Sequence, residues 1–373
     1  MSRTAKKIAV ALFLSFLGVF FALHLILPDR SFSEQENRYL QTFPAFSARR
    51  FFAGSFESDF ETYTAEQFPL RDGWIRLKAR LELIQGKAQN NGIYLCEGER
   101  LIEPYTAPSD DFRAAQTEAV NALVRNTELP VTLALIPDAA ELFSDLLPQG
   151  VPNDSQREVI DKVFEVSDTQ TVDLCEALSA AEREDLFYRT DHHWTSYGAF
   201  LAYQKLSESL SYAPLPRSDF NAETVTEEFY GTAYSSSGFG WVEPDRIETY
   251  VDEPDTVSVE KYEGASPTVT TLYDKERLST KDKYSFFLGG NTPRAVIKTG
   301  HDGLPVLLML RDSYSDSLVP FLLAHYSEIH LLDLRYYRDS VAAYAKEQNV
   351  DEILVLYSVR NFSEENSIAL IAK

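Results

Sequence analysis

The chain opens with an apolar run that is long enough to cross a membrane. Residues 8–27 are apolar at all but three positions, Ser15, Gly18 and His24. About 20 apolar residues span a bilayer as a helix. The run is preceded by three basic residues, Arg3, Lys6 and Lys7, and by no acidic residue. The positive-inside rule then predicts that residues 1–7 form a cytoplasmic tail and that the chain after residue 28 lies outside.

A cleaved signal peptide is the competing interpretation of this run. Its apolar region would be shorter, and small residues would mark a cleavage site. Here the run continues into Leu25-Ile-Leu-Pro-Asp-Arg30, which is a poor cleavage site. We therefore predict a retained transmembrane signal-anchor over residues 8–28. The protein would be a single-pass protein of the cell membrane with an extracytoplasmic C-terminal domain.

Residues 29–88 are predicted to form a juxtamembrane connector and a helical entry segment. Residues 29–50 are largely polar and contain Pro44, which favours an extended connector. Aromatic residues then recur at helical spacing, at Phe52, Phe56, Phe60 and Tyr63. The helical pattern resumes after Pro69. We expect this segment to pack on the main domain.

Residues 89–373 alternate between strand and helix patterns. The apolar runs 130–136 and 306–310 are typical of strands that are buried on both faces. Their alternation with amphipathic helical stretches predicts βαβ units, and so an α/β domain with a parallel sheet and flanking helices. Residues 213–288 are rich in Thr, Tyr, Gly, Pro and acids, and they predict a β-rich insertion on the loop face of the sheet.

The net charge and the cysteine content limit the classes of ligand and of metal site that this chain is expected to have. The chain has a net charge of −22, and without its three N-terminal basic residues the net charge is −25. So acidic a surface argues against nucleic acid and anionic lipid headgroups. It is compatible with neutral or cationic glycans, and equally with simple solubility. The two cysteines, Cys96 and Cys175, form no metal motif, and their pairing stays open.

An acid, two imidazoles and an indole occupy the four positions Asp191-His-His-Trp194, in a chain with only six histidines. Residues two apart in an extended loop point to the same side. Asp191 is therefore predicted to orient His193 as a general base. His192 points elsewhere and is expected to be structural or to face substrate. Trp194 is expected to pack in the core or to serve as a platform for a sugar.

A hydroxyl follows the apolar run 306–310, in Arg311-Asp-Ser-Tyr-Ser315. Ser313 is predicted to be a nucleophile at a strand-to-helix turn, with the backbone N–H groups from Tyr314 onward facing an oxyanion. Gly290 is expected to permit close backbone approach there, and the Asn291 amide to be a second oxyanion donor; a plain turn is the competing interpretation of Gly289 and Gly290. Two roles are equally open for Arg335, which is expected either to pack within its loop or to contact substrate. The competing interpretation makes Ser313 part of a helix cap and Tyr314 a core residue.

The motifs together resemble the DHHW protein family, which is similar to the AlgX/AlgJ-type SGNH hydrolase-like O-acetyltransferases. The resemblance rests on Thr190-Asp-His-His-Trp-Thr195, Gly289-Gly-Asn291, Arg311-Asp-Ser-Tyr-Ser315, Tyr326-Ser-Glu-Ile329, Asp333-Leu-Arg-Tyr-Tyr337, Glu36-Asn-Arg38 and Gln67-Phe-Pro-Leu-Arg71. It implies an SGNH hydrolase-like fold with circularly permuted motif order over residues 89–373. It also implies Asp191, His193 and Ser313 as orienting acid, base and nucleophile. Arg311 stands where the family usually has glycine, and Glu66 where it has aspartate.

The resemblance further implies a membrane-anchored O-acyltransferase, typically an O-acetyltransferase, that modifies a cell-surface polysaccharide with an MBOAT-type acyl-donor partner and without a cofactor or metal. A carbohydrate esterase or deacetylase would use the same three residues. A non-catalytic glycan-binding assembly factor is the alternative outside enzymes. A metal site of the DHH phosphoesterase kind is disfavoured, because the upstream Asp-x-Asp arrangement is missing and few histidines remain.

Overall fold

The computed structural model describes residues 2–183, 185–264 and 266–372. Its helices are α1 (Arg3–Ile26), α2 (Ala48–Phe52), α3 (Ser55–Glu66), α4 (Arg71–Ile84), α5 (Asp110–Thr127), α6 (Ala139–Leu142), α7 (Gln156–Glu165), α8 (Leu174–Ser179), α9 (Ser196–Leu206), α10 (Thr232–Ser237), α11 (Val319–Leu322), α12 (Val341–Glu347) and α13 (Val359–Glu364).

The strands are mostly short. They are β1 (Phe32–Ser33), β2 (Arg38–Tyr39), β3 (Gln89–Asn90), β4 (Ile93–Leu95), β5 (Leu101–Ile102), β6 (Val131–Ile136), β7 (Gln170–Val172), β8 (Glu223–Phe229), β9 (Asp245–Thr249), β10 (Ser258–Tyr262), β11 (Thr268–Thr270), β12 (Arg294–Lys298), β13 (Val306–Arg311), β14 (Glu328–Leu332) and β15 (Glu352–Ser358).

The chain divides into two compact units. One comprises the residues up to Asn91 together with Tyr234–Trp241, and the other comprises Gly92–Ala233 and the residues from Val242 onward. The first unit contains α1, a helix of 24 residues that is long and apolar enough to cross a membrane. It also contains α3 and α4, which lie where helical periodicity predicted them, and α2, which lies mostly in the segment expected to be extended. Of the aromatic residues at helical spacing, Phe52 is 87% exposed and Phe60 is 40% exposed, whereas Tyr63 is buried.

The second unit is built around an eight-stranded sheet with the order β11-β10-β12-β14-β13-β15-β6-β7. The five strands from β14 to β7 are parallel to one another, as the alternating pattern predicted. Every residue of β6 and β15 is buried, as is β13 from Leu307 onward. Burial explains why these strands are apolar along most of their length, because both of their faces contact other parts of the protein.

The region 213–288 differs from the predicted insertion. Strands β8 and β9 do form a separate antiparallel pair. However, β10 and β11 join the main sheet, where β10 pairs antiparallel with β12, and β12 with β14. The sheet is therefore mixed. An edge strand exposes unpaired backbone N–H and C=O groups, and β10 pairs with those of β12. Strand β12 and helix α7 were not predicted.

Candidate active site

The segment 187–195 is a closed loop on the second unit. Phe187 and Trp194 form an antiparallel bridge, and the Tyr188 N–H donates to the His193 carbonyl at 3.2 Å. The carboxylate of Asp245 accepts hydrogen bonds from the Thr190 N–H at 2.8 Å and from its hydroxyl at 2.6 Å. The backbone of the loop is thus held from both ends, which limits where its acid and imidazoles can lie.

The structure brings Asp191, His193 and Ser313 into one line of hydrogen bonds. His193 Nδ1 lies 2.6 Å from Asp191 Oδ1, and His193 Nε2 lies 2.7 Å from Ser313 Oγ. Asp191 and His193 are buried, whereas Ser313 is partly exposed. A hydroxyl, an imidazole and a carboxylate in this order can transfer the hydroxyl proton to a base whose tautomer is held by the acid. The serine is the member that a substrate can reach.

The Asp191 carboxylate is fully enclosed by donors. Thr232 donates its N–H to Oδ2 at 2.7 Å and its hydroxyl at 3.0 Å. Burial would raise the pKa of Asp191, but the charges of His192 and His193 and these hydrogen bonds hold the pKa well below its usual value. Gly231 permits the close approach, because a Cβ there would lie 2.2 Å from the Asp191 Cβ.

Ser313 begins the 3-10 helix Ser313–Ser317, directly beyond β13. Asp312 is the N-cap, and its Oδ1 accepts the Tyr314 N–H at 3.1 Å. Its other oxygen accepts the Ser358 N–H and the Asn361 amide, each at 2.8 Å. The buried Asp312 side chain therefore joins the end of β13 to the end of β15. The Tyr314 N–H was predicted to face an oxyanion, but it donates to the capping side chain of Asp312 instead.

Trp194 and Tyr314 are buried and form part of the support behind His193. The Trp194 Nε1–H donates to the Tyr314 carbonyl at 2.9 Å and to Ser317 Oγ at 3.0 Å. Trp194 is fully buried, so it packs in the core and offers no surface to a sugar. The Tyr314 hydroxyl donates to the His192 carbonyl. Both side chains position the two motifs relative to each other, and neither faces a substrate.

His192 lies at the edge of the site. Its Nδ1 is 2.7 Å from the Thr232 hydroxyl, and its ring centre is 4.0 Å from that of His193. Burial of the ring and the charge of His193 lower the pKa of His192 to about 4, although 44% of the side chain is exposed. The ring spacing supports the direction of this shift, because two protonated imidazoles so close together repel each other.

Arg311 connects the serine turn to the loop that carries Gly290 and Asn291. Its Nη1 donates to Asn291 Oδ1 at 2.8 Å and forms an ion pair of 2.8 Å with buried Asp316. Lys261 Nζ donates to the Gly290 carbonyl at 2.8 Å. Arg311 thus occupies the usual glycine position with a structural role, and it fixes one end of the Asn291 amide. Among the described residues, Ser313 forms no hydrogen bond with Gly290 or Asn291.

Arg335 is engaged by its neighbour. Its Nε and Nη2 donate to the two oxygens of buried Asp333 at 2.9 and 2.7 Å. This bidentate pair favours loop packing over substrate contact for Arg335.

Tyr284 is a site residue that sequence analysis missed. Its ring stacks on His193 with centres 3.8 Å apart and planes 10° apart. Its hydroxyl donates to the Ser313 carbonyl at 3.3 Å and lies 3.1 Å from Ser317 Oγ. Tyr284 lies at the end of the region 213–288, where nothing in the local pattern distinguishes it from other tyrosines. Its position follows only from the tertiary fold.

Asp191, His192 and His193 lie close enough together to hold a metal ion. Their candidate ligand atoms are already hydrogen-bonded. Asp191 Oδ1 and His193 Nδ1 bond to each other, and His192 Nδ1 bonds to Thr232. A metal would have to replace these bonds, so the geometry favours proton transfer over metal binding.

Comparison with known proteins agrees with the fold. A family model described as the SGNH hydrolase-like domain of the acetyltransferase AlgX matches residues 96–275. A DHHW family protein from Eubacterium siraeum aligns with a TM-score of 0.66 and 23% identity, over 76% of this chain and 95% of its own. Bacillus cereus PatB1 with a sulfonyl adduct aligns with a TM-score of 0.63 and 20% identity, over 75% and 98%. No curated protein matches.

The second unit therefore has an SGNH hydrolase-like fold. The resemblance to the DHHW family and to AlgX-type SGNH hydrolase-like proteins, predicted from the motifs, is confirmed. The matched range includes Asp191 and His193 and ends before Ser313.

Replacing Arg311 with Met should destabilise the domain by about 3–5 kcal/mol at neutral pH, because Asp316 is left buried without its partner. Burial already raises the pKa of Asp316 to about 6, against the opposing charge of Arg311. An acid with a raised pKa destabilises the folded state as pH rises through that value. The loss should therefore be smaller near pH 4 than near pH 7, measured by urea unfolding in detergent. The double variant Arg311→Met/Asp316→Leu should recover stability, and an equal loss at both pH values would contradict the pairing.

Tyr284→Phe should lower kcat by less than about tenfold, because it removes only neutral hydrogen bonds and keeps the stacked ring. Tyr284→Leu should lower kcat further. The rate of cleavage of an activated acetyl ester measures both effects. An unchanged kcat in Tyr284→Leu would show that the stacking has no role at the site.

His192→Gln should leave the shape of the pH–rate profile unchanged above about pH 5, because a group with a pKa of about 4 is already neutral there. His193→Gln is the matched variant and should abolish activity over the whole range. Loss of the acidic limb in His192→Gln would instead make His192 the titrating base.

Proposed function

We propose that this protein is a membrane-anchored O-acyltransferase, in the simplest case an O-acetyltransferase, that modifies a cell-surface polysaccharide outside the cytoplasm. The observation that carries the proposal is the hydrogen-bonded line from Asp191 through His193 to the partly exposed Ser313. The match to an acetyltransferase family model supports acyl transfer over other uses of such a site. The apolar helix α1 supports anchoring.

In the proposed reaction, Ser313 Oγ attacks the carbonyl carbon of an acyl donor while His193 Nε2 accepts the hydroxyl proton. Asp191 stabilises the resulting imidazolium. His193 returns the proton to the leaving group, and an acyl-serine remains. A sugar hydroxyl then gives its proton to His193 and attacks the acyl-serine, which releases the ester product and restores the serine.

Oxyanion stabilisation is assigned to the loop that Arg311 and Lys261 hold. Arg311 engages Asn291 Oδ1, so the amide nitrogen of Asn291 is oriented away from that bond and can serve as a donor. The resemblance predicts an MBOAT-type membrane protein as the source of acyl groups. A membrane anchor would keep the two proteins in the same bilayer.

An esterase would use the same groups with water in place of the sugar hydroxyl. The two reactions differ in where the acyl group goes.

To distinguish them, an activated acetyl ester is supplied to the purified protein together with oligosaccharides of the producing cell. Acetate in the oligosaccharide supports transfer, and acetate released only to water supports hydrolysis.

Ser313→Ala should reduce either reaction by about 10⁴-fold or more, as removal of the nucleophile does in serine hydrolases. Phenylmethylsulfonyl fluoride should add to wild-type Ser313 with loss of fluoride, and mass spectrometry should find the adduct on the peptide that contains it. Asp191→Asn should label far more slowly. Full polysaccharide acetylation in cells that carry only Ser313→Ala would sink the enzymatic proposal and favour a non-catalytic assembly role.

A further inference from the structure

The first unit exposes an unusual amount of apolar surface. Outside residues 3–27, sixteen large apolar side chains are exposed in the described chain, and twelve of them lie between Tyr39 and Ile84. Large exposed apolar patches mark sites of contact with proteins or membranes. Because these exposed side chains are concentrated in one short segment next to α1, we expect a protein or a membrane to contact that segment.

Helix α4 carries the most regular part of this surface. Leu70, at its N-cap, and four residues of the helix follow one another at alternating spacings of four and three, which places all of them on one face. These five exposed residues, which we name the α4 stripe, are Leu70, Trp74, Leu77, Leu81 and Ile84.

The other side of α4 holds the helix to its own unit. Ala79 is fully buried. The Arg76 side chain donates to Gln35 at 3.0 Å, Lys78 donates to Asn90 at 3.3 Å, and Arg80 lies over the Trp241 ring at 5.0 Å. Arg76, Lys78 and Arg80 are also exposed, so α4 presents both charged and apolar side chains outward. A surface helix of a water-soluble domain keeps its apolar stripe toward the core.

The stripe is continuous with α1. The ring of Trp74 lies 6.2 Å from Phe16 and 5.6 Å from Phe20, and Phe68 stacks on Phe20 at 5.3 Å. Phe20 lies six residues, about 9 Å, before the end of α1. The helix is about 36 Å long and so exceeds the hydrocarbon core by roughly 6 Å. A residue beside Phe20 then lies at about the depth that interfacial helices reach.

Charge agrees with this location. Residues 29–91 contain nine basic and nine acidic residues, so the whole acidic excess of −25 belongs to residues 92–373. The acidic character that argues against lipid contact for the chain as a whole does not apply to this segment. Aromatic residues beside arginine and lysine are also typical of membrane interfaces.

We propose that α4 is a second membrane-contacting element, with the α4 stripe inserted among lipid acyl chains beside α1. The proposal rests on the anchoring role of α1 in the proposed function, and it is independent of the chemistry at Ser313. It implies that two helices, and not a single flexible tether, attach the first unit to the bilayer.

The test uses the full-length protein in phosphatidylcholine vesicles whose acyl chains carry bromine, which quenches tryptophan fluorescence on contact. Of the three tryptophans, Trp194 is buried and Trp241 lies against Arg80. Brominated lipid should quench the wild type, and Trp74→Phe should lose most of that quenching. Equal quenching of both proteins by brominated lipid would overturn the proposal. Quenching of Trp74 by aqueous acrylamide and not by brominated lipid would overturn it as well, and this second result is the one expected if a partner protein covers the stripe.

Two further variants separate the possible failures. Phe20→Trp in the Trp74→Phe background reports insertion of α1; if it too is unquenched, the anchoring itself has failed. Leu77→Gln/Leu81→Gln should weaken quenching of Trp74, and it alters only exposed positions, so folding is preserved. Val166→Gln/Val269→Gln, a matched change at exposed apolar residues of the second unit, should leave the quenching unchanged. Equal effects of the two pairs would contradict a specific role for the stripe.

Discussion

A hydrogen bond of 2.7 Å between His193 and Ser313 joins two segments that are 120 residues apart in the chain. The site exists only if these two segments lie next to each other, and the arrangement of the second unit brings them together. Ser313 follows the carboxyl end of the parallel strand β13, and α/β folds bind their ligands at the carboxyl ends of such strands. The closed loop after Phe187 places His193 next to Ser313. Neither segment holds its position by local structure alone.

Buried charged residues hold both the histidine loop and the serine turn in position. Asp245 holds the backbone of the histidine loop, and Asp312 joins the serine turn to β15. Arg311 and Asp316 pair beneath the turn. Each buried carboxylate is costly unless its oxygens are matched by donors, so each one specifies a particular neighbour. The same set of interactions therefore orders the site and constrains the fold around it.

Much of this could be predicted from local patterns. The apolar runs identified β6 and β13, because strands buried on both faces need mostly apolar side chains. The spacing of Asp191 and His193 predicted that they share one side of the loop, and they lie 2.6 Å apart. The positions of Trp194 and Tyr314 were predicted less well, since an aromatic residue in a motif can face either core or solvent. The aromatic face of residues 52–63 was expected to pack on the main domain, but Phe52 and Phe60 are exposed and only Tyr63 is buried.

The sequence by itself determined the elements and their chemistry: an apolar helix, alternating strands and helices, and an acid, a base and a hydroxyl in two separate motifs. Periodicity and residue spacing are local properties, so they can be read from neighbouring positions. Only the tertiary structure decided that Tyr284 stacks on His193, that Arg311 pairs with Asp316, and that the stripe of α4 faces outward. These are contacts or exposures set by packing, and packing depends on parts of the chain that no local pattern connects.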